Sequence, residues 1–360
     1  MYPPCTESIQ TSSFGTLNMG TAVMCIKTTS DATPAGNSLA SWQDGDSVFQ
    51  LLPRHDYAAQ TADQSLRLDE SPLKKIQEPE HQLIYEAGSR SAVWLLGDKA
   101  VCKVHAWKEG MQLESETIAF VREQFPTIPV PEVLCGWVDK SINRSFLVMK
   151  RIRARTLDLA WAQLTYQQRL NIAKEVADHT ATLASKTCCY FQTISGCGVG
   201  IPLLMQGYDH ESPIHNWFPR TIGPFLSTDL RDYMSKISST SPPSFDDTFV
   251  LFHDDQGPTN ILVSDAGDKV EAIIDWASAA YLPRFWIATV PLTHGGFTLS
   301  DENLDSWAGM LVKALETHGF HECLSEFQNW RSQTSKHDTE EDKLEWRKVQ
   351  INGRPSDTFD

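Results

Sequence analysis

The chain has 360 residues, of which 41% are hydrophobic and 21% are charged, so it is long enough for two globular units with separate cores. It carries 46 acidic and 31 basic residues and has a formal net charge of -15 at pH 7. Nucleic-acid-binding proteins concentrate positive charge, so this balance argues against that class. The acidity suits a cationic small substrate, but a solvated surface kept soluble by repulsion is the commoner reason for it.

None of the eight cysteines lies in a C-x-x-C pair, a distribution typical of free thiols in a reducing compartment. The first thirty residues contain no basic segment followed by an apolar one. No apolar run approaches the roughly 18 residues that a membrane-spanning helix needs. We therefore expect a cytoplasmic protein that has no signal peptide and does not enter a membrane.

Residues 1–75 are dominated by Ser, Thr, Asp, Gln, Pro and Gly, and periodic apolar pattern is scarce there. This composition predicts a weakly structured leader. Within it, the segments "LNMGTAVMCI" and "DSVFQLL" are the candidates for short elements.

Residues 76–152 are predicted to form a strand-rich unit with one helix. "HQLIYEAGSRSAVWLLGDKAVCKV" indicates two or three short strands separated by glycine turns. "GMQLESETIAFVREQF" predicts a helix with Glu114, Ile118 and Val121 on one face. The prolines of "TIPVPEVLCGWV" exclude a helix at that point, and "SFLVMKRI" is a strongly apolar strand.

Residues 153–330 are predicted to be mostly helical. Thr165 and Gln168 make a T-x-x-Q capping box at the start of one helix, and "GPFLSTDLRDYMSKI" predicts a second. A late helix, "SDENLDSWAGMLVKALETHGF", is expected to be capped by Ser300. Between the helices, "TFVLFHDD" and "NILVSDAGDKVEAIIDW" indicate short strands that flank a loop and a hairpin turn. Residues 331–360 are predicted to form a charged tail.

The loop between those strands carries a chemical pattern. His253, Asp255 and Asn260 satisfy H-x-D-x-x-x-x-N, the spacing of a kinase catalytic loop. In such a loop the aspartate takes the proton of the attacking hydroxyl, and the asparagine binds Mg²⁺ when the loop curls back. Three fixed positions recur by chance, but here apolar strands lie on both sides, which is the context that this motif requires.

A second carboxylate follows the loop. Asp275 ends the apolar run "AIID", fifteen residues after Asn260, and could bind the same Mg²⁺. Mg²⁺ prefers hard oxygen ligands and is usually held by few protein groups together with phosphates. The alternative is that Asp275 only caps the segment that follows; we favour the metal role.

A lysine lies far upstream in the apolar segment "AVCKV". Lys103 would be costly to bury there unless a carboxylate or a phosphate paired with it. Glu114 of the following helix is the best partner, and Glu116 is the rival. The alternative is a lysine at a strand edge that reaches water. The turn "EAGSRSAVW" before Lys103 has small residues whose backbone amides could cover phosphates, although neither a G-x-G-x-x-G nor a P-loop motif is present.

In order and spacing, these motifs resemble the aminoglycoside phosphotransferase family, within the protein-kinase-like and choline-kinase-like superfamily, and most of all its fungal-type members. The segments that carry the resemblance are "ESETIAFVREQFPTIPVPEV", "FLVMKRIRARTLDLAW", "GPF", "HDDQGPTNILV" and "IIDWASAAYLPRFW". They cover roughly residues 80–330. The resemblance implies an α+β, bilobal protein-kinase-like fold, with a small antiparallel β-rich N-lobe containing one helix and a larger, mostly helical C-lobe. It assigns nucleotide binding to 76–152, and the catalytic loop and acceptor site to 153–330.

The resemblance also implies roles for individual residues. Asp255 would be the catalytic base, and Asn260 and Asp275 would be the Mg²⁺ ligands. Lys103, paired with Glu114, would hold the α- and β-phosphates of ATP. The remaining cofactor-binding positions are Met149 as gatekeeper, the backbones of Lys150 and Ile152 at the adenine edge, and Gly88 and Ser89 in the phosphate-covering turn.

Four positions depart from the pattern of the family. Asp254 replaces a small residue beside the base, Gly257 replaces a histidine, and Ala277 replaces a residue that is often acidic. Ala154 replaces the hinge glycine. These departures indicate a divergent member, so drug resistance does not follow from the resemblance.

The function expected from the sequence is transfer of the γ-phosphate of ATP, with Mg²⁺, to a hydroxyl group of a small molecule. The acceptor could be cationic, and we expect a monomer or weak dimer that binds neither nucleic acid nor membrane. One alternative is a kinase-like nucleotide-binding or scaffold protein without activity. A protein kinase is disfavoured because D-F-G and A-P-E motifs are absent.

Overall fold

The computed structural model describes residues 23–29, 38–53, 81–87, 90–205, 220–299 and 306–334. The chain divides into two compact units. The first comprises Met1–Lys108 and Glu132–Arg151, and the second comprises Glu109–Pro131 and Ile152–Asp360.

The first unit begins with a three-stranded antiparallel sheet in the order β1-β3-β2. Its strands are β1 (Val23–Thr29), β2 (Ala40–Asp44) and β3 (Ser47–Pro53). The described part of the predicted leader over 1–75 is this folded sheet, which corrects the prediction of weak structure there. The two segments named as candidate elements, "LNMGTAVMCI" and "DSVFQLL", overlap β1 and β3. The other residues of the predicted leader, apart from 38–39 before β2 and the turn at 45–46, lie outside the described residues.

A five-stranded antiparallel sheet, in the order β4-β5-β6-β8-β7, makes up the rest of the described first unit. Its strands are β4 (His81–Ala87), β5 (Ser91–Leu96), β6 (Ala100–Ala106), β7 (Val133–Asp139) and β8 (Arg144–Lys150). The turn between β5 and β6 contains Gly97 at φ 63°, a left-handed conformation that favours glycine. Strand β6 is therefore central, with β5 and β8 hydrogen-bonded on its two sides.

Both sheets contribute side chains to one apolar core. The first sheet supplies Trp42, Phe49 and Leu51, and the second supplies Cys102 and Val148, all of them buried. Trp42 stacks on Phe49 with ring centroids 5.4 Å apart. Burial of this apolar surface explains why these segments form strands although Ser, Thr, Asp and Gln dominate the region around them.

The second unit contains every helix that the structure describes. The helices are α1 (Glu114–Gln124), α2 (Leu157–Ala160), α3 (Tyr166–Ala184), α4 (Ser227–Ile237), α5 (Trp286–Thr293), α6 (Trp307–Glu316) and α7 (Leu324–Ser332). The predicted capping box is present at α3, where Thr165 accepts from the Gln168 backbone and the Gln168 side chain bonds back. Helix α6 starts at Trp307 with Ser306 as its cap, so the predicted cap at Ser300 is wrong.

Short strands position the loop that the sequence singled out. They are β9 (Arg155–Thr156), β10 (Thr187–Cys188), β11 (Tyr190–Thr193), β12 (Phe225–Leu226), β13 (Phe249–Phe252), β14 (Ile261–Val263), β15 (Val270–Ile273) and β16 (Ala280–Leu282). They form two sheets, in the orders β10-β13-β16-β11-β12 and β15-β14-β9. Strand β13 belongs to the first of these sheets and β14 to the second. Both strands are buried, and the 253–260 segment connects them.

The α+β fold class predicted from the sequence is confirmed, with antiparallel sheets and several helices. In sequence the two units alternate after Lys108, Pro131 and Arg151, and the predicted domain division after residue 152 stays a prediction. Helix α1 was expected within the strand-rich unit, but it is grouped with the second unit. One reason is that the backbone N–H of Ile273 donates to the carbonyl of Pro129, just after α1, at 2.9 Å.

Two further predictions bear on the described segments. Among the helices that the structure describes, none has the length and apolar character needed to cross a membrane. The tail predicted over 331–360 starts inside the last turn of α7, and from residue 335 onward it lies outside the described residues.

Candidate active site

The loop from His253 to Asn260 is anchored at its centre by Gln256, which is fully buried. The hydroxyl of Thr180, on α3, donates to Gln256 Oε1 at 2.9 Å. The indole Nε1 of Trp307, on α6, donates to the Gln256 carbonyl at 3.0 Å. Two helices therefore fix the backbone of the residue that follows Asp255, which restricts where Asp255 can point.

His253 is a buried structural group of the loop. Its Nδ1 accepts from the backbone N–H of Asp255 at 3.1 Å, so the proton of a neutral ring lies on Nε2, which contacts the carbonyl oxygen of Ile274 at 3.1 Å. Burial lowers the pKa of His253, and the Asp255 and Asp275 carboxylates oppose that effect. His253 thus orients the backbone on both sides of the site as a neutral ring at neutral pH.

Asn260 closes the loop onto Asp255. Its side-chain Nδ2 donates to the backbone carbonyl of Asp255 at 2.9 Å, and its own carbonyl accepts from Ile274 N–H at 2.9 Å. Because Nδ2 is used in this way, the oxygen Oδ1 is the atom of the amide that remains available as a ligand. The predicted curl of the loop is therefore present, and the role of Asn260 as a metal ligand stays a prediction.

Asp275 follows β15 in a left-handed backbone conformation, with φ 65° and ψ 57°. Ile261 pairs with Ile273 across the β14–β15 hairpin, so Asn260 and Asp275 leave the same end of that hairpin. Aspartate and asparagine tolerate this conformation better than most residues other than glycine. Among the described residues, no group of three or more His, Cys, Asp or Glu side chains could hold a metal ion by itself. One carboxylate and one amide oxygen nevertheless fit Mg²⁺ that is also bound by phosphates.

Asp255 lies beside a second turn that the sequence analysis missed. A Cβ on Gly257 would collide with the carbonyl oxygen of Gly296, so the two backbones touch. A Cβ on Gly296 would lie 3.6 Å from Asp255 Oδ1 and 2.9 Å from the Nδ1 of His294. The His294–Gly296 turn therefore forms one side of the surroundings of Asp255. No local signal pointed to it, since its role depends on a contact with a distant loop.

Asp254 points to helix α5. Its Oδ1 accepts a hydrogen bond from the indole Nε1 of Trp286. Burial raises the pKa of the Asp254 carboxyl to about 7, the Trp286 hydrogen bond opposes this shift, and the charge of Asp255 adds to it. The two adjacent aspartates therefore differ in partner, and Asp254 is not interchangeable with Asp255.

The two candidate glutamates of α1 also have different partners. Glu114 Oε1 accepts from the backbone N–H of Trp276 at 3.1 Å, next to Asp275. Glu116 is exposed, and its carboxylate accepts from the side chain of Gln112 at 2.8 Å. Glu114 is thus the glutamate that contacts the candidate metal segment, and its pairing with Lys103 stays a prediction.

The remaining predicted cofactor-binding residues fall mostly in the first unit. Lys103 is buried, with 7% exposure, in the central strand β6, opposite Val93 and Leu147. Met149 is buried in β8. The Lys150 side chain pairs with Glu132, and its N–H donates to the Glu132 carbonyl, so only its carbonyl is a candidate for the adenine edge.

Three predicted positions contribute nothing further to the geometry of the site. Ile152 is the first residue of the second unit after its boundary. Gly88 and Ser89 lie outside the described residues, so the phosphate-covering turn stays a prediction. The site that the structure does describe therefore lies in the second unit, and consists of Asp255, Asn260 and Asp275.

Comparison with known proteins gives a family match that includes Asp255, Asn260 and Asp275. The sequence matches the profile of the phosphotransferase enzyme family APH over residues 82–286, more than half of the chain. No curated protein matches the sequence significantly. The structure is similar to an aminoglycoside-3'-phosphotransferase of type VIII, with 17% identity and a TM-score of 0.46, over 76% of this chain and 96% of the other. It is also similar to APH(2")-IIa in a streptomycin–ATP ternary complex, with 13% identity and a TM-score of 0.42, over 82% and 86%.

Structural likeness at these identities and TM-scores carries no conclusion about the nucleotide or the acceptor. The family match is the stronger finding, because it runs from β4 to the first residue of α5. It includes Asp255, Asn260 and Asp275 in the order that the motifs require. The relation to fungal-type members stays a prediction, whereas the family is shown: the chain belongs to the phosphotransferase enzyme family APH.

Proposed function

We propose that this protein transfers the γ-phosphate of ATP, in the presence of Mg²⁺, to a hydroxyl group of a small molecule. The observation that carries the proposal is the hydrogen bond from Asn260 Nδ2 to the Asp255 carbonyl at 2.9 Å. This bond closes the loop, turns the amide oxygen of Asn260 away from Asp255, and leaves the Asp255 carboxylate for another task. Phosphoryl transfer needs these two functions side by side, a proton acceptor and a metal ligand.

In the proposed reaction Asp255 accepts the proton of the acceptor hydroxyl as the oxygen attacks. The carboxylate orients the hydroxyl before the reaction and takes its proton late. The buried Gln256 next to it, held by Thr180 and Trp307, limits the motion of the loop during this step. Such positioning supplies much of the rate enhancement in phosphoryl transfer, since little covalent chemistry falls to the protein.

Asn260 and Asp275 are the proposed Mg²⁺ ligands. Both present oxygen atoms from the same end of the β14–β15 hairpin, which suits a hard cation. When bound there, Mg²⁺ would supply positive charge that offsets the negative charge of the phosphates. Glu114 stabilises the backbone after Asp275 through its bond with Trp276 N–H, so helix α1 also fixes the proposed metal segment.

The remaining roles concern ATP and are proposals of the same kind. Lys103 would hold the α- and β-phosphates, with Glu114 as its partner. Its burial in β6 supports this, because a buried ammonium needs an anionic partner. Met149 would be the gatekeeper, with the Lys150 carbonyl and the Ile152 N–H at the adenine edge. Gly88 and Ser89 would cover the phosphates from the turn after β4.

Gly257 stands where the family pattern has a histidine. This departure does not weaken the proposal, because steric packing accounts for the glycine. A side chain at this position would collide with the carbonyl of Gly296, so glycine is required for this packing of the two turns. An inactive scaffold would not need Asp255, Asn260 and Asp275 in this arrangement. We propose further that the protein acts in the cytoplasm as a monomer or weak dimer.

Two measurements test the proposal. Mg²⁺ and ATP added together should raise the Tm of the protein, while ATP with a chelator should raise it less, because ligands that bind the folded state stabilise it. A panel of amino-alcohols, sugars and aminoglycosides should then contain an acceptor that increases ADP release. A protein that shows neither Mg²⁺-dependent stabilisation nor acceptor-dependent ADP release would support the scaffold alternative.

A further inference from the structure

The indole of Trp286 fixes the direction of Asp254, the unusual residue beside the proposed base. Trp286 is fully buried at the start of α5. Its ring packs edge-on against Phe327 of α7, with centroids 5.0 Å apart, and against Phe285 at 6.3 Å. A ring held on two sides can aim its N–H in only one direction, and that direction is toward Asp254 Oδ1.

Few groups act on the Asp254 carboxyl. The neighbouring carboxylate of Asp255 acts from the same loop, and the Trp286 indole acts from α5. Within the described ranges no cation forms an ion pair with Asp254. The Phe327 ring of α7 lies behind Trp286, while the carboxylates of Glu322, just before this helix, and of Glu326 act on Cys323.

The ring of His253 faces elsewhere. Its nitrogens bond the backbone N–H of Asp255 and the carbonyl of Ile274, and it interacts electrostatically with Asp255 and Asp275. Asp254 is therefore desolvated beside a second carboxylate, with a neutral donor as its one strong partner. Burial raises its pKa to about 7, so its proton is present under mildly acidic conditions and absent under mildly basic ones.

We propose that Asp254 is a positioning residue for Asp255: its bond to Trp286 anchors the catalytic loop to α5, and its proton determines whether one or two negative charges stand beside the acceptor hydroxyl. This inference rests on the proposed role of Asp255 as base. A negative charge on Asp254 favours movement of the hydroxyl proton toward Asp255. We therefore expect kcat/KM to rise with pH through a transition near neutrality.

The same proton has a consequence for stability. The pKa of Asp254 in the folded protein lies above its ordinary value of 3.8. The folded state therefore binds a proton that the unfolded state has already released, across the interval between the two pKa values. The stabilisation of the folded state that protonated Asp254 provides is therefore present at low pH and is lost as the pH rises through about 7.

The test compares Asp254→Asn and Trp286→Phe with the wild-type protein. Asp254→Asn keeps an oxygen acceptor for the indole but cannot ionise, whereas Trp286→Phe keeps a ring but removes the donor. Asp265→Asn, in the exposed hairpin turn, is the matched control. Tm and kcat/KM for acceptor-dependent ADP release are measured between about pH 5 and about pH 8.5, a range that spans the transition.

As the pH rises, we expect the Tm of Asp254→Asn to increase relative to the Tm of the wild type. The kcat/KM of this variant should no longer show the transition near neutrality. In Trp286→Phe the transition should move to higher pH, because the indole bond lowers the pKa of Asp254. Asp265→Asn should follow the wild type in both measurements. Parallel Tm and kcat/KM profiles for Asp254→Asn and wild type would overturn the inference, and so would an altered Tm profile with an unaltered kcat/KM profile. If no acceptor increases ADP release, the proposed function fails and the role of Asp254 in catalysis fails with it. If an acceptor is turned over and the transition near neutrality persists in Asp254→Asn, only the inference about Asp254 fails.

Discussion

Glu114 Oε1 accepts a hydrogen bond of 3.1 Å from the backbone N–H of Trp276, the residue directly after Asp275. Helix α1 is thereby joined to the segment that carries the candidate metal ligand, although 162 residues separate the two in sequence. The bond gives Glu114 a role that does not depend on Lys103. A change at Glu114 should therefore affect the fold of the site as well as the binding of phosphate.

Glu114→Ala and Glu114→Gln should separate these two roles. Glu114→Ala removes the acceptor of a buried N–H and should lower the free energy of unfolding by about 1 kcal/mol. Glu114→Gln keeps the acceptor oxygen, so its stability should stay near that of the wild type while its affinity for Mg·ATP falls. Urea unfolding and ATP titration measure these effects.

Glu116→Ala is the control for Glu114, because Glu116 lies two residues away on the exposed side of α1. It should change stability by less than about 0.5 kcal/mol, as is usual at the surface. Equal losses of stability in Glu114→Ala and Glu116→Ala would refute the role assigned to the bond with Trp276.

Substitutions of Asp275 should distinguish its charge from its backbone conformation. Asn tolerates the left-handed conformation at φ 65°, so Asp275→Asn should fold normally and lose the Mg²⁺-dependent part of the Tm increase with ATP. Alanine is strained there by about 1–2 kcal/mol, so Asp275→Ala should also be less stable. An Asp275→Asn protein with full Mg²⁺-dependent stabilisation would show that Asp275 only ends the strand.

Gly257→Ala should disrupt the contact between the catalytic loop and the His294–Gly296 turn. The added methyl group meets the backbone of Gly296, which cannot move aside as a flexible side chain would. We expect a loss of about 1–3 kcal/mol of stability, typical of overpacking, and a loss of turnover. Circular dichroism during thermal unfolding and ADP release measure the two effects.

Gly295→Ala is the matched control for Gly257→Ala, since a Cβ on Gly295 has no heavy atom within 4 Å. It should leave Tm and turnover near wild type. If Gly257→Ala behaves like Gly295→Ala, the close approach of the two turns is not a requirement of the fold.

The local features of the second unit could be predicted well from sequence. The capping box of Thr165 and Gln168 depends on four consecutive residues, and the motif from His253 to Asn260 on eight, so both are visible without tertiary information. Strands on both sides of the motif followed from their apolar runs. These short-range signals were enough to identify the loop and to distinguish Asp255 from Asp254 by their distance to Asn260.

Features that depend on pairing between distant segments could not be predicted in this way. Strands β1 and β3 overlap segments that the sequence marked as possible short elements, but their pairing into a sheet depends on residues such as Phe49, which join a core with β6 and β8. The contact of Gly257 with Gly296 and the bond of Asp254 with Trp286 connect elements that no periodicity relates. The predicted cap of α6 was also wrong. Ser300 and Ser306 both precede the apolar pattern of this helix, and Ser306 is the residue that caps it.

The measurement that tests the central claim most directly is transfer of labelled γ-phosphate from ATP by Asp255→Asn, compared with wild type and with Asp265→Asn. The amide keeps the size of the side chain but is no longer a base, so transfer should fall by about 10²- to 10⁴-fold. The Tm increase caused by Mg·ATP should be unchanged in the same variant, and Asp265→Asn should match the wild type in both respects. Transfer by Asp255→Asn at the wild-type rate would contradict the assignment of Asp255 as the base.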